Sequence, residues 1–224
     1  MGIFKPSTTS LNEKMMTQLL PVSNKSIKLA RRLLREGELV AFPTDTVYGV
    51  GANAFERYAV RQIFEVKQRP ADKAIPVFIT QIDDLNQVAR DVPNTAWPLL
   101  EHFWPGALTV VLPRSPHLPV DVTAGRDFVA VRLPDHPLCL ELVIKVGRPL
   151  AVTSANLSGQ PSPTTAEEAA AQLGGRIPLI LDGGPTATPH PSSIVDLSVQ
   201  PPRLLREGDL SLQMLREVVA DLVG

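Results

Sequence analysis

Polar side chains suited to ligand binding crowd into residues 44–51, TDTVYGVG, directly after a short apolar run. This stretch carries three hydroxyls, one carboxylate and two glycines. Hydroxyl and carboxylate groups orient polar ligands through hydrogen bonds, and glycine lets the backbone approach a ligand closely. The same residue types also build an ordinary hairpin loop, so this stretch alone leaves both interpretations open.

A cationic cluster follows in residues 67–73, KQRPADK, where a predicted helix stops. Arginine offers phosphate oxygens a planar fork, and lysine offers them a mobile point charge. Cations at this place also stabilise a helix through its macrodipole, so the position fits a purely structural role equally well. Together with the hydroxyl-rich loop, the cluster favours a polyphosphate ligand.

One arginine, Arg132, stands inside the otherwise apolar run FVAVRLP. A charge inside a buried strand is unfavourable unless it is paired. Its partner is expected to be either a protein carboxylate such as Asp135 or the carboxylate of a ligand. Strand alternation places Ala130 and Arg132 on one face, which we predict to be the face of a cavity.

Two further stretches carry small polar groups. Residues 153–159, TSANLSG, follow a predicted strand and can orient a phosphate or an amino acid, although a capped turn has the same composition. Residues 190–208 place hydroxyls before one predicted strand and an arginine at the end of the next.

The elements that position these groups are short apolar runs, many of them ended by proline, between amphipathic segments. The sequence predicts strands at residues 39–42, 74–80, 107–112, 128–133, 149–153, 178–181, 193–197 and 203–205, and helices at 24–36, 58–68, 83–92, 94–104, 137–146, 165–173 and 210–223. This mixed order predicts an α/β domain (α+β in some schemes), a sheet flanked by helices. Residues 1–22 lack a clear period, and we expect them to form an N-terminal tail or extension before a single domain at 23–224.

Composition narrows the classes of function. The chain has 224 residues and a net charge of -1, so it does not resemble the basic domains that coat nucleic acid. Aromatic residues make up only 5%, which offers little for base stacking.

The single cysteine, Cys139, excludes a disulfide framework and predicts a reduced, cytoplasmic compartment. Cys139 has no basic neighbour in sequence that would activate it as a nucleophile. No apolar run is long enough to span a membrane.

Six motifs in order resemble the YrdC-type family, the threonylcarbamoyl-AMP synthases, over roughly residues 24–210: PTDTVYGVG, KQRP, FVAVRLPDHP, TSANLSGQPSPT, SSIVD and RLLREG. The resemblance implies a twisted mixed sheet with a concave, positively lined cavity, in the single-domain form of the family. It implies that L-threonine, bicarbonate or CO2, and ATP with Mg²⁺ give threonylcarbamoyl-AMP and pyrophosphate. Separate transferase proteins would then use this product for the t6A modification of tRNA.

The resemblance also implies roles for individual residues, with no side-chain nucleophile among them. The residues expected to bind threonine are Thr46, Arg132 and Ser192. Those expected to bind ATP are Lys67, Arg69, Ser154, Asn156, Thr164 and Arg206. The sequence departs from some members at Lys73 and Phe78, so no contact is carried over to either.

Two alternatives remain at this stage. The chain could act on another carbamoyl or acyl adenylate, or its cavity could hold an RNA end. The net charge and the scarcity of aromatic residues weigh against an RNA-binding module, and any contact with tRNA is expected to be weak or indirect.

Overall fold

The computed structural model describes residues 16–224, which form one mixed sheet with helices packed around it. The strands of these residues are β1 Gln18–Pro21, β2 Val40–Phe42, β3 Gly49–Asn53, β4 Val77–Phe78, β5 Leu108–Pro113, β6 Phe128–Arg132, β7 Leu150–Ser154, β8 Leu179–Asp182, β9 Ser193–Asp196 and β10 Arg203–Arg206. The helices are α1 Asn24–Arg35, α2 Arg57–Lys67, α3 Leu85–Val88, α4 Ala96–Phe103, α5 Pro137–Val146, α6 Ala166–Leu173 and α7 Leu212–Val218, with a short 3-10 turn at Ile82–Asp84. This arrangement confirms the predicted fold class.

The strands follow the order β1-β8-β2-β3-β7-β4-β6-β5-β9-β10 across the sheet. Four neighbouring pairs are parallel, namely β1 with β8, β8 with β2, β4 with β6, and β5 with β9. The other five pairs are antiparallel. Strands from the two halves of the chain therefore interleave at the centre of the sheet, where the loops that follow β2 and β7 come together.

Side-chain alternation divides the core between the two faces of the sheet. One face carries Val50, Ala151, Val131 and Val110, and it packs against apolar residues of α2, α3, α4, α6 and α7. The opposite face is covered by helices only at one end, where apolar residues of β2, β7 and β8 pack against α1 and α5. At the other end, β5, β6 and β9 present Thr109, Val111, Ala130, Arg132 and Ile194 to a cavity instead. The cavity is thus the part of this face that helices leave uncovered.

Local sequence accounts for the helices that cover this face. Ser23 and Ser26 form a reciprocal capping box that begins α1, and Ile27, Ala30 and Leu34 form its buried face. Helix α5 begins with a proline at its first position, where the missing N–H costs no hydrogen bond, and ends at Gly147 in the left-handed region.

Two strands were not predicted from the sequence. Residues 49–53, GVGAN, were expected to belong to a loop, either a ligand-binding loop or an ordinary hairpin loop, but they form β3 and pair with both β2 and β7. Their glycines are required by close packing, because a Cβ at Gly49 would lie 2.7 Å from Val152 Cγ1 and a Cβ at Gly51 would lie 3.0 Å from the Phe42 ring. Glycine has low strand propensity, so the pattern gave no strand signal.

The sequence predicted a tail or extension over residues 1–22, and the structure places Gln18–Pro21 of this segment at the edge of the sheet. These residues form β1, an edge strand whose backbone pairs in parallel with Leu179–Asp182 of β8. A four-residue strand that is exposed on most of its length carries no alternation to reveal it. Residues 1–15 of the predicted tail lie outside the described residues. Several predicted elements were also too long, most clearly the strand at 74–80, which Pro76 restricts to Val77–Phe78.

None of the helices between residues 16 and 224 is long and apolar enough to cross a membrane.

Candidate active site

The cavity on the uncovered face has a volume of about 320 Å³, within the range typical of small-molecule sites. Four arginines line it, Arg69, Arg126, Arg132 and Arg206. No carboxylate belongs to its lining among the described residues. The remaining wall consists of hydroxyl-bearing and apolar residues. A cavity with this charge is built to receive an anion.

The hairpin loop between β2 and β3 supplies one side of the cavity through Thr44 and Thr46. The Thr44 hydroxyl donates to the Val47 carbonyl at 2.7 Å, so the Thr46 hydroxyl proton is left to donate to Thr44 Oγ1 at 3.1 Å. The Thr46 oxygen then accepts a hydrogen bond from Arg132 Nη1 at 3.0 Å. The stretch thus contains a hairpin loop, and its two threonine hydroxyls face the cavity; ligand binding by these hydroxyls stays a prediction.

Tyr48, the third hydroxyl of that stretch, has a structural role. It is fully buried, and its hydroxyl donates to the Gly184 carbonyl at 2.7 Å. Burial raises the pKa of Tyr48 to about 12, so the phenol stays protonated and holds the hairpin to the loop after β8.

Arg132 ends β6 and is almost fully buried. Its partner is Asp45, whose Oδ2 accepts from Arg132 Nη2 at 2.7 Å, and the expectation of Asp135 as protein partner is therefore wrong. Arg132 Nε also donates to the Gly106 carbonyl at 3.0 Å. The predicted orientation is confirmed, because Ala130 and Arg132 both face the cavity. The Phe78 ring lies on the same wall, 5.6 Å from the Arg132 guanidinium carbon.

Arg206 and Ser192 form a second unit at the rim. Arg206 donates to the Ser192 carbonyl from Nε at 3.0 Å and from Nη2 at 2.6 Å. The Ser192 hydroxyl lies 2.8 Å from that of Thr109, a buried side chain of β5. Desolvation and then the charges of Arg132 and Arg69 lower the pKa of Arg206. The arginines thus repel one another, and a bound anion would relieve that repulsion.

Arg69 lies just after α2, and protein carbonyls hold its guanidinium from one side. Nε donates to the Lys73 carbonyl at 3.0 Å, and Nη2 donates to that of Ala74 at 2.7 Å. Arg126 is anchored in a similar way through the Asp72 carbonyl at 3.0 Å. Within residues 16–224, Nη1 of Arg69, Arg126 and Arg206 has no hydrogen-bond partner. Each of these arginines therefore keeps donors for a ligand.

Lys67 does not reach the cavity wall, although it was predicted to bind phosphate. Its side chain is buried, and its ammonium donates to the Ser154 carbonyl and, at 2.5 Å, to the Asn156 carbonyl. Burial, and next the charge of Arg69, lower the pKa of Lys67 to about 7. In this geometry Lys67 fastens the end of α2 to the loop after β7.

Two more of the predicted ATP-binding residues lie outside the cavity lining. Asn156 donates from Nδ2 to the carbonyls of Leu157 and Gln160 and so shapes the loop after β7. The Thr164 hydroxyl and backbone N–H donate to the Glu168 carboxylate in the first turn of α6. Both side chains form hydrogen bonds with groups close to them in the chain. This is the structural role that short polar residues commonly have in turns and helix caps.

The structure thus brings together six of the nine residues predicted for the site: Thr46, Arg69, Arg132, Ser154, Ser192 and Arg206. Sequence reasoning missed Thr109 and Arg126. Thr109 pairs with Arg132 across β5 and β6, and this register could not be read from the sequence. Arg126 stands in a turn with no surrounding pattern to distinguish it. Lys73 contributes only its carbonyl, whereas Phe78 forms part of the wall.

Cys139 is buried within α5, and burial raises its thiol pKa, which keeps it protonated. Among the described residues, no group of three or more His, Cys, Asp or Glu side chains is placed to hold a metal ion. The polar groups that the cavity lining presents are arginine and hydroxyl side chains.

Comparison with known proteins places this architecture among characterised relatives. The Sua5/YciO/YrdC family model, described as "Telomere recombination", matches residues 32–208. The chain is 46% identical over 196 residues to the threonylcarbamoyl-AMP synthase of Pyrococcus abyssi (strain GE5 / Orsay), covering 88% of this chain and 58% of that protein. It is also 46% identical over 208 residues to the threonylcarbamoyl-AMP synthase of Bacillus subtilis (strain 168), covering 92% of this chain and 60% of that protein.

Among solved structures, P. abyssi Sua5 complexed with L-threonine superimposes with a TM-score of 0.88 at 43% identity. The match covers 93% of this chain and 62% of that one. The chain thus spans about three fifths of the length of these relatives.

Proposed function

Because the chain belongs to the Sua5/YciO/YrdC family, we propose that it is an L-threonylcarbamoyladenylate synthase. As a nucleotidyltransferase, it would condense L-threonine, bicarbonate or CO2, and ATP to threonylcarbamoyl-AMP and pyrophosphate. The observation that carries this proposal is the cavity ringed by four arginines with no carboxylate in its described lining. Such a site suits a substrate pair that brings one α-carboxylate and a triphosphate.

The threonine carboxylate is assigned to Arg132. A guanidinium has five N–H groups, and three of those on Arg132 are used by Gly106, Thr46 and Asp45. Two donors remain, one on each Nη atom. Three fixed contacts hold the guanidinium in place before substrate arrives, which reduces the entropy lost on binding. The relative whose structure contains L-threonine supports the choice of amino acid.

The hydroxyls around Arg132 complete the threonine site. Thr46 accepts from Arg132, and Ser192 lies beside Thr109, the cross-strand neighbour of Arg132. These hydroxyls can exchange hydrogen bonds with the amine or hydroxyl of the substrate, while Phe78 and Ala130 supply apolar surface for its methyl group.

The triphosphate is assigned to Arg69, Arg126 and Arg206, which line the same cavity and whose Nη1 atoms have no hydrogen-bond partner within residues 16–224. Charge-assisted hydrogen bonds from arginine to phosphate are short and strong, and three of them would offset the repulsion among the guanidinium groups. Ser154 adds a hydroxyl from the end of β7. Lys67, Asn156 and Thr164 remain predicted ATP ligands; Lys67 would have to exchange a carbonyl contact for a phosphate oxygen.

The proposed reaction has two bond-forming steps. The threonine nitrogen attacks the carbon of bicarbonate or CO2, the new N–C bond forms, and the nitrogen loses a proton, with water leaving when bicarbonate is used. A carbamate oxygen then attacks the α-phosphorus of ATP, the bond to the β-phosphate oxygen breaks, and pyrophosphate leaves with the electron pair. Both steps need positioning and charge neutralisation more than a protein nucleophile.

Mg²⁺ would enter as part of the ATP substrate. The described residues offer it no cluster of carboxylates, whereas the triphosphate supplies the oxygen ligands that it prefers. There it would neutralise charge on the leaving pyrophosphate alongside the arginines.

Separate transferase proteins would consume the adenylate in the t6A modification of tRNA. We place the reaction in the cytoplasm, since the chain has a single cysteine and it is buried and unpaired.

Pyrophosphate release tests the proposal. With ATP and Mg²⁺ present, we expect release only when threonine and bicarbonate are both added. Serine lacks only the methyl group, a difference worth about 1–3 kcal/mol, so its kcat/KM should be roughly 10- to 200-fold lower. Equal release with serine, with glycine or without an amino acid would contradict the assignment.

A further inference from the structure

Arg126 differs from the other cavity arginines in where it stands. The other three belong to strands or follow directly on a helix, whereas Arg126 ends an irregular turn of residues 119–126 between β5 and β6. The Arg126 side chain is exposed, and within residues 16–224 a single hydrogen bond, from Nη2 to the Asp72 carbonyl, holds its guanidinium. The position of Arg126 therefore depends on what fixes this turn.

The backbone of the turn is closed by its own hydrogen bonds. The Gly125 N–H donates to the Val120 carbonyl at 2.9 Å, and the buried Thr123 hydroxyl donates to the Arg126 carbonyl at 2.7 Å. Ala124 lies in the left-handed region at φ 53°, a conformation that is unfavourable for a residue with a Cβ and persists only where the surroundings hold it. The turn thus keeps a strained backbone two residues before Arg126.

Asp121 ties this turn to helix α2. Its Oδ2 accepts from Arg57 Nε at 2.7 Å and its Oδ1 accepts from Arg61 Nε at 2.6 Å, so both carboxylate oxygens are bound. Burial alone would raise the pKa of Asp121, but the hydrogen bonds and charges of Arg61 and Arg57 lower it below its usual value. The carboxylate is therefore ionised at neutral pH. We call these three residues the Asp121 clamp.

Stability alone is a weak explanation for the Asp121 clamp. The Asp121 side chain is only 9% exposed, whereas those of Arg57 and Arg61 are 61% and 59% exposed. Ion pairs that involve such exposed arginines contribute little to stability, and the buried carboxylate loses its hydration. The clear consequence of the clamp is geometric, because two arginines one helical turn apart hold one carboxylate from both sides.

Helix α2 connects the Asp121 clamp to the cationic end of the cavity. The clamp lies near the beginning of α2, and Arg69 follows its end. The loop after Arg69 contacts the turn twice, since the Asp72 carbonyl accepts from Arg126 and the Ile75 N–H donates to the Val122 carbonyl at 2.8 Å. A turn fixed to this helix is thereby fixed relative to Arg69.

We propose that Asp121 is a positioning residue that, through Arg57 and Arg61, fixes the turn presenting Arg126 to the triphosphate. The inference rests on the proposed function, which assigns the triphosphate to Arg126 and its neighbours. Because both Asp121 oxygens are occupied, the carboxylate holds the turn without pairing with Arg126, which belongs to no ion pair in the part of the chain that the structure describes. A guanidinium that is already in place loses less entropy when the ligand binds.

Isothermal titration calorimetry with α,β-methylene-ATP and Mg²⁺ tests the proposal on the full chain. Asp121→Asn keeps the shape of the side chain, but its amide oxygen can accept from only one of the two arginines. We expect Asp121→Asn to weaken analogue binding about two- to tenfold, the effect of ordering one more side chain on binding. Arg126→Gln, which removes a charge-assisted hydrogen bond, should weaken it about tenfold or more. Threonine affinity should stay at the wild-type value in both variants.

Two further variants complete the set. Glu141→Gln is the matched control, because it removes one carboxylate from the ion pair with Lys145 on α5, outside the cavity lining, and should bind both ligands like wild type. Arg57→Ala, Arg61→Ala removes the clamp from exposed positions of α2 and should weaken analogue binding as Asp121→Asn does. This second route keeps the proposal testable if Asp121→Asn does not fold.

A double-mutant cycle separates positioning from a purely structural role. If Asp121 acts through Arg126, then Asp121→Asn, Arg126→Gln should bind the analogue no more weakly than Arg126→Gln alone. Additive losses, an equal loss of threonine affinity, or unchanged analogue affinity in folded Asp121→Asn would each overturn the proposal.

Calorimetry measures binding without bicarbonate and without turnover, so this test does not depend on the synthase reaction. A wild-type chain that binds α,β-methylene-ATP but releases no pyrophosphate with threonine and bicarbonate would contradict the proposed function alone. Active enzyme whose analogue affinity is insensitive to Asp121→Asn would contradict the positioning role alone. A wild-type chain that does not bind the analogue would overturn both.

Discussion

Arg132 is the residue on which the proposed threonine site depends. Its guanidinium donates one hydrogen bond to each of three groups, the Gly106 carbonyl, the Thr46 hydroxyl and the Asp45 carboxylate. Asp45 Oδ1 is itself buried and has no hydrogen-bond partner among the described residues. Asp45 is therefore held against Arg132 by this one ion pair, and the pair positions both groups beside the cavity.

Replacing Arg132 by lysine should raise the threonine KM about tenfold or more and leave the ATP KM near normal. Lysine keeps the charge opposite Asp45 but cannot hold a carboxylate with two parallel hydrogen bonds, and each charge-assisted bond contributes about 1.5–3 kcal/mol. Steady-state kinetics with each substrate varied in turn gives both KM values. An exposed arginine, Arg90→Lys, serves as the matched control.

A purely structural Arg132 would give a different pattern. Arg132→Lys would then lower the melting temperature, and threonine and ATP kinetics would suffer together in the fraction that stays folded. A folded Arg132→Lys enzyme with an unchanged threonine KM would remove this residue from the site.

Lys67 should make stability depend on alkaline pH. Burial lowers its folded pKa to about 7, below the usual lysine value of 10.5 that holds in the unfolded chain. Between these two values the unfolded state binds more protons, so the free energy of unfolding should rise with pH from about 7 to about 10. Urea denaturation across this range measures the effect.

The matched variant Lys67→Met keeps the apolar stem and removes the titrating group. Its stability relative to wild type should be greatest near neutral pH and should decline as pH rises. Parallel pH profiles for the two proteins would show that Lys67 does not titrate in this window.

The β2–β3 hairpin is the element that builds the cavity. Its loop supplies Thr44 and Thr46, and β3 brings the hairpin against β7 so that Gly49 faces Val152. The approach is close, since a Cβ at Gly49 would lie 2.7 Å from Val152 Cγ1. Glycine is required here by packing, not by backbone conformation.

Gly49→Ala should therefore destabilise the protein by about 1–3 kcal/mol, the usual effect of overpacking a buried site. Val152→Ala removes the opposing methyl, so the double variant should be less destabilised than the sum of the two single variants. Denaturant unfolding of all four proteins measures this coupling. Additive effects on the free energy of unfolding would mean that Val152 does not restrict the size of the side chain at position 49.

Elements with a strong local signal were predictable from the sequence. Helix α1 and the apolar runs that became β2, β5 and β6 were identified by position and type. The strand β3 was missed because its glycines serve contacts with residues far away in the chain. The edge strand β1 was missed because it is short and exposed.

The site followed the same rule. Arg69 and Arg206 stood out as charges at the ends of predicted elements, Arg132 stood out as a charge inside an apolar run, and all three line the cavity. The pairing of Arg132 with Asp45 and the position of Thr109 depend on strand register, which a single sequence does not reveal. Lys67 and Asn156 were predicted to bind ATP from the family resemblance and stay predictions, and in this structure their side chains support the loop after β7.

On the scale of the whole molecule, the proposed function depends on the helices covering only one end of one face of the sheet. Helices α1 and α5 bury one end of that face, and the other end remains as the arginine-lined cavity. The chain concentrates four arginines in this cavity, while its net charge stays at -1. A positively charged site is thereby compatible with a near-neutral protein.

The central claim is that one cavity joins threonine, bicarbonate and the α-phosphate of ATP. Incubation with ¹⁴C-bicarbonate and α-³²P-ATP tests it most directly, because both labels must enter the same product. We predict a doubly labelled adenylate that forms only with threonine and disappears in the Arg69→Ala, Arg132→Ala double variant. A ³²P-labelled adenylate without ¹⁴C, or a doubly labelled product that forms without threonine, would contradict the account.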